Sequence, residues 1–205
     1  MSTETMGTSV IITGVGGQGN VMAARLLASA VLEAGWEVTV GDVYGLTQRG
    51  GSVASHVRWI KGEPLPPLVP RCFLDILVAF EPLEALRVLN QLGGETTRAI
   101  VNTQPVIPIG VQAGRFQYPE LKKLYAAIRD LTGESVFVDA TREARALGNV
   151  QVLNMVMLGT LYGSEWIHFS TIAFEKTMHA LLPSRSIGPN VEAFRRGLEL
   201  AKPVH

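Results

Sequence analysis

The chain has 205 residues, 47% hydrophobic and 18% charged, with Lys+Arg and Asp+Glu balanced at 18 each. That length buries a sizeable core, and that composition excludes a disordered or tail-like protein. The charge balance leaves no basic footprint for nucleic acid or for an anionic membrane, and the sparse charge is a first hint of a buried face.

The chain opens as strand, glycine loop and helix. Ser9 to Ile12 is an apolar, β-branched run that predicts a strand buried on both faces, and Gly14 bounds it. From about Asn20 to Ala34, Ala23, Leu26, Leu27, Ala30 and Val31 fall at helical spacing until Gly35 stops them. Val38 to Val43 and Val53 to Ile60 predict two further strands, separated by a Gly-rich polar loop. A proline-rich stretch, Glu63 to Pro70, is too short to link independent domains and predicts a rigid crossover.

Leu74 to Phe80 is a third buried-type strand, and Pro82 opens a helix running to Leu92. Ala99 to Asn102 and Val136 to Asp139 complete the strands, around a helix at about Pro119 to Leu131. Beyond Glu143 the pattern is helical, at about Val150 to Tyr162, Thr171 to Leu182 and Val191 to Ala201. Alternating strands and helices predict an α/β fold, a mostly parallel Rossmann-like sheet flanked by helices, with a helical C-terminal third. The low charge and the apolar, Met-bearing C-terminal third predict an extensive interface, hence an oligomer.

The single Cys72 excludes an intrachain disulfide and suits a reducing cytoplasm. It also cannot by itself hold an iron–sulfur cluster, which takes about four cysteines. Histidines 56, 168, 179 and 205 lack zinc spacing, so no metal site is expected. No apolar run reaches the roughly 18 residues of a membrane span, and Met1 to Gly7 shows no signal-peptide order.

Two motifs carry chemistry. Gly14-Val15-Gly16-Gly17-Gln18-Gly19 lies between a strand and a helix, where glycines permit a tight turn and bring backbone N–H groups close to a phosphate. Asp42 lies near the distance at which a dinucleotide fold keeps its ribose acid. The alternative to this ligand-binding reading is a tight turn with glycines chosen for packing. The second motif runs from Asp42 through Tyr44, Gln48, Arg49, Gly50 and Gly51 to Ser52, and its arginine suits a phosphate or carboxylate. Its bland alternative is a surface loop.

Together, Gly14 to Gly19 and Tyr44 to Ser52 resemble the gamma subunit or domain of the 2-oxoacid:ferredoxin oxidoreductases. Phe80 to Arg87, Gly148 to Val150, Asn154, Leu158-Gly159 and Asn190 to Phe194 are similar to the indolepyruvate branch, in its beta subunit. The resemblance spans about Ser9 to Lys202. It implies one gamma-type catalytic domain over 1–205, within a complex that oxidatively decarboxylates a 2-oxoacid with coenzyme A and passes electrons to ferredoxin. Thiamine diphosphate and the iron–sulfur clusters are then expected on a companion subunit, through which ferredoxin is reached. Coenzyme A is the co-substrate. Tyr44, Gln48 and Arg49 become the expected active-site loop, with Gly14, Gly16, Gly17, Gln18, Gly19, Gly50, Gly51 and Ser52 lining the cofactor side.

Two other classes stay open: a stand-alone NAD-binding oxidoreductase using Gly14, Gly16, Gly19 and Asp42, and a non-catalytic binding protein. Simpler readings hold elsewhere. Glu81 and Glu84 suit a helix N-terminus, Asn154 a packed polar position, His56 a core or edge strand, and Cys72 an inert thiol. Arg185, Arg195 and Arg196 read as solvated or interface charges.

Overall fold

Six strands form one sheet in the order β2-β3-β1-β4-β5-β6. The computed structural model describes residues 7–45, 51–107 and 117–201. The strands are β1 (Thr8–Val15), β2 (Glu37–Tyr44), β3 (Ser52–Ile60), β4 (Ile76–Ala79), β5 (Arg98–Asn102) and β6 (Glu134–Val138). Between and after them come α1 (Asn20–Glu33), α2 (Pro82–Leu92), α3 (Leu121–Asp130), α4 (Ala140–Ala146), a 3-10 turn (Val150–Val152), α5 (Leu153–Gly163), α6 (Thr171–Leu181) and α7 (Ser184–Leu200).

β1, β4, β5 and β6 pair in parallel, while β3 runs antiparallel between β1 and β2. The sheet is therefore mostly parallel, as the alternation of elements predicts, but its β2 side is reversed at one strand. β1 shows why its sequence is apolar without interruption. Val10 and Ile12 point into the core beneath α1, whereas Ile11 joins Leu77, Leu89, Val101 and Ile128 on the opposite face. Both faces of a central strand are buried, so period-two alternation disappears.

α1 and the C-terminal helices cover one face, and α2 and α3 cover the other. The chain thus leaves β1 toward one face and β4 toward the other, which makes the β1–β4 boundary a topological switch point.

The methionines of the C-terminal third, which suit a core or an interface alike, lie in the core. Met155 and Met157 on α5 are fully buried, packed in the same core as Phe174 and Phe194. α5 and α7 cross so closely that a Cβ on Gly159 would sit 2.0 Å from Phe194 O, and one on Gly197 2.1 Å from Val156 O. Stacked Phe174 and Phe194, 4.6 Å between ring centroids, fill the space beside the crossing.

Two helices differ from expectation. α4 is a seven-residue helix that the pattern does not announce. α7 begins at Ser184, not near Val191, and carries Pro189 inside it. A proline this close to the helix start removes a single backbone donor, and Asn190 Nδ2 donates to Ser186 O at 2.7 Å nearby.

The proline-rich stretch packs as a crossover on β3. Buried Arg58 donates through Nη1 to Pro66 O at 2.8 Å and Leu68 O at 3.2 Å, and through Nε to Ser9 Oγ at 3.1 Å. A segment poor in N–H groups thereby has its carbonyls satisfied by a side chain.

Candidate functional site

β1 ends in a tight turn at the carboxyl edge of the parallel strands. Gly17 (φ 104°) and Gly19 (φ 85°) take left-handed backbone, which L side chains resist. Gln18 closes the switch point: its Oε1 accepts from Val15 N at 2.7 Å and its Nε2 donates to Phe80 O at 3.1 Å. Asn102 Nδ2 donates to the same carbonyl at 3.0 Å. Gly14 must be small for this to happen, because a Cβ there would lie 2.5 Å from Gln18 Oε1 and 2.9 Å from Phe80 Cβ.

The turn's donors divide into used and free. Gly16 N donates to Gly51 O at 2.8 Å, and Gln18 N to Val15 O at 3.2 Å. The N–H groups of Gly17 and Gly19, and those of Asn20, Val21 and Met22 in the first turn of α1, donate to nothing among the described residues. Among the described residues, no side chain caps the N-terminus of α1. Its positive end faces a cleft of about 770 Å³ lined by Gly16, Gly17, Gly19, Val21, Met22 and Tyr44, among others. Free donors at a helix N-terminus suit an anion.

Tyr44, 57% exposed, forms the far wall. Gly45 N donates to Ser52 O at 2.8 Å, closing the base of the loop between β2 and β3. Of the residues expected at the site, Gly16, Gly17, Gly19 and Tyr44 line this cleft, and Gly51 braces it through Gly16. Ser52 pairs with Val15 in the ladder beside it. Gly14 and Gln18 act by shaping the turn. Gln48, Arg49 and Gly50 lie outside the described residues.

Asp42 does not reach a nucleotide position. In a dinucleotide fold the strand bearing that acid pairs directly with the first strand. Here antiparallel β3 lies between them, which sets β2 about 10 Å from β1. Asp42 Oδ1 instead accepts from Ser55 Oγ at 2.5 Å. The stand-alone NAD-binding alternative loses its acid for this reason.

Glu81 caps α2, accepting from Glu84 N at 2.9 Å and Val106 N at 3.4 Å, and from the Tyr118 hydroxyl. Burial pushes its carboxyl upward, and the Tyr118 and backbone hydrogen bonds oppose that rise. Glu84 is also buried and pairs with Arg87 at 2.5 Å. Both acids belong to the helix start, as expected there. His56 is a core residue whose Nδ1 accepts from Val69 N at 3.1 Å; burial, with Arg58 beside it, holds the imidazole below its ordinary range. Asn154 packs under the glycine turn, with Nδ2 3.5 Å from Gly19 O and Oδ1 accepting from Met155 N at 2.9 Å.

Arg195 and Arg196 are exposed charges, as expected, and each also carries an ion pair. Arg195 pairs with Glu175 of α6 at 2.9 Å, and Arg196 with Glu143 of α4 at 2.9 Å, so they tie α7 to its neighbours. A partner on another helix leaves no signal in a local pattern.

A second cavity, of about 260 Å³, lies across Gly17 from the first, between the glycine turn, the segment after β5, α4 and the 3-10 turn. Sequence reasoning misses it because Gln104, Arg145 and Gln151 come from separate segments and form no motif. Among the described residues, no group of three His, Cys, Asp or Glu is placed to hold a metal ion, and no helix is long and apolar enough to cross a membrane.

Comparison with known proteins matches residues 9–200 to the pyruvate ferredoxin/flavodoxin oxidoreductase family. Indolepyruvate oxidoreductase subunit IorB of Thermococcus kodakarensis is 36% identical over 95% of this chain and 96% of its own. The IorB of Archaeoglobus fulgidus is 34% identical over 96% of each chain. The gamma subunit of a keto/oxoacid ferredoxin oxidoreductase from Geobacter sulfurreducens superposes with a TM-score of 0.69 at 21% identity, over 95% of this chain and 98% of that one. In the 2-oxoglutarate:ferredoxin oxidoreductase of Magnetococcus marinus, 97% of this chain matches 32% of a longer chain, with a TM-score of 0.71 and 20% identity. With a family match running almost from end to end of the described structure, the chain belongs to the pyruvate ferredoxin/flavodoxin oxidoreductase family.

Proposed function

We propose that this chain is the cluster-free subunit of an indolepyruvate-type 2-oxoacid:ferredoxin oxidoreductase, one gamma-type domain over 1–205. It completes the active site at which a 2-oxoacid is oxidatively decarboxylated with coenzyme A. The observation that carries this reading is the likeness to IorB over 95% of this chain. Thiamine diphosphate and the iron–sulfur clusters belong to a companion subunit, which also meets ferredoxin; Cys72 is this chain's one thiol. A reducing cytoplasm suits such a complex.

The residues here fit the phosphate end of coenzyme A. Five backbone N–H groups, at Gly17, Gly19 and Asn20 to Met22, are without a protein partner among the described residues. No side chain among the described residues caps α1. Coenzyme A supplies the thiol that accepts the acyl group. This chain's share is to bind and orient it, with Tyr44, Gln48 and Arg49 as its active-site residues. The exposed Met22 and Tyr44 on the cleft give the companion an apolar rim to cover.

The isolated chain should be colourless and should reduce no dye with any 2-oxoacid and coenzyme A; addition of the companion subunit should restore turnover. Turnover by the single chain sinks the proposal. In the reconstituted complex, Gly17→Val and Arg49→Lys should raise KM for coenzyme A, with Arg49→Lys weakening binding by ~1–3 kcal/mol, the scale of a hydrogen bond to a charged group. A fall in kcat for the 2-oxoacid with KM for coenzyme A unmoved would assign the loop to the thiamine side instead.

A further inference from the structure

The cavity on the β5 side of Gly17 is built from donors. Arg145, in the last turn of α4, lines it with its guanidinium free of any hydrogen bond or ion pair among the described residues. Gln151, in the 3-10 turn before α5, likewise keeps its side-chain amide unengaged. Among the described residues, the Gly17 N–H donates to nothing and no atom lies within 4 Å of where its Cβ would be.

Among the described residues, no carboxylate lines the cavity. The acids around α4 are already engaged. Asp139 accepts from Arg142 N at 3.0 Å and from Gln104 Nε2 at 3.2 Å, and Glu143 is held by Arg142 and Arg196. Arg58, Arg87 and Arg195 are held by two carbonyls, by Glu84 and by Glu175, whereas exposed Arg25, Arg71 and Arg185, like Arg145, have no hydrogen bond or ion pair among the described residues. An arginine in the last turn of a helix is favoured by the helix dipole wherever it points. Arg145 and Gln151 are exposed, so their donors are open to solvent; what singles them out is that they converge with the Gly17 turn on one space of about 260 Å³.

We propose that this cavity is a second anion-binding subsite, in which Arg145, with Gln151 and the Gly17 N–H, receives one phosphate or carboxylate group of a small ligand. The guanidinium is suited to both, since two parallel N–H donors match two oxygens of either group. The volume admits one such group with its nearest atoms, not a whole nucleotide. The subsite shares only the Gly17 N–H with the phosphate site proposed above, and its test also reads Arg145 and Gln151, which that site does not use.

The experiment titrates the isotopically labelled full chain with inorganic pyrophosphate and, separately, with acetate, reading amide shifts by NMR. The Gly17 and Gln151 backbone amides and the Arg145 Nε–H should move together. The amides of Val21 and Met22 report the larger cleft separately. Arg145→Gln should weaken the response at Gly17 and Gln151 by roughly tenfold or more, the factor of a charge-assisted hydrogen bond. Arg145→Lys, which keeps the charge and loses the fork, should fall between. Arg25→Gln, an exposed arginine of α1 outside the cavity, should change nothing. A response to pyrophosphate alone makes this a phosphate reader, and a response to acetate makes it a carboxylate reader. The proposal is overturned if neither anion moves Gly17 and Gln151, or if Arg145→Gln and Arg145→Lys both leave the affinity unchanged.

Discussion

Gly17 and Gly159 are the same residue used in opposite ways. At Gly17, which has left-handed backbone and nothing within 4 Å of a would-be Cβ, the missing side chain leaves space. At Gly159 it removes space, because α7 presses its backbone into the position a Cβ would take, 2.0 Å from Phe194 O. One glycine keeps a cleft open and the other lets two helices touch. A glycine in a sequence therefore does not declare a ligand site. The distance from its Cβ position to the nearest fixed atom separates the two uses.

Substitution at each position tests that contrast. Gly159→Ala should have the largest effect, about 3 kcal/mol or more of lost stability, since a backbone carbonyl cannot step aside as a flexible side chain can. The loss would appear as a lower urea midpoint or insoluble expression, and an unchanged midpoint would break the comparison. Gly14→Ala is intermediate, because its first obstacle is the mobile end of Gln18, 2.5 Å away. We expect a loss of about 2 kcal/mol as Gln18 is displaced from Val15 N and Phe80 O. In a double-mutant cycle with Gln18→Ala, the two losses should sum to more than the double variant shows. Gly17→Ala should be mildest, about 1 kcal/mol for the left-handed backbone and nothing for crowding. A drop as large as that of Gly159→Ala would mean that the turn is packed, not open.

Much of the fold is legible because burial leaves a local trace. Val10, Ile11 and Ile12 read as doubly buried and are, and Pro82 marks the start of α2. The reversal of β3 leaves none, since an apolar strand looks alike in either direction. Its consequence, the distance between Asp42 and the glycine turn, is equally hidden. The start of α7 is masked by Gly188 and Pro189, which ordinarily end a helix rather than lie within one. Low charge suggested a buried face, yet Met155 and Met157 show that the C-terminal helices consume much of that apolar surface themselves. The site divides the same way. The glycine turn and Tyr44 announce themselves by motif and meet at one cleft, while Arg145 and Gln151 come together only through the chain's path in space.

The position of β2 at the free edge gives the cleft two walls of unequal permanence. β1 is bonded on both sides and buried along almost its whole length. β2 is bonded only to β3 and is largely exposed or half-buried, and Tyr44 is its last residue. Local opening begins where few apolar contacts are lost, so amide exchange with solvent should be fastest along β2 and slowest along β1. A companion subunit or ligand that engages Tyr44 acts on the half of the cleft that is cheapest to order. Assembly would then register as new protection along Glu37–Tyr44, with the glycine turn's own scaffold scarcely changed.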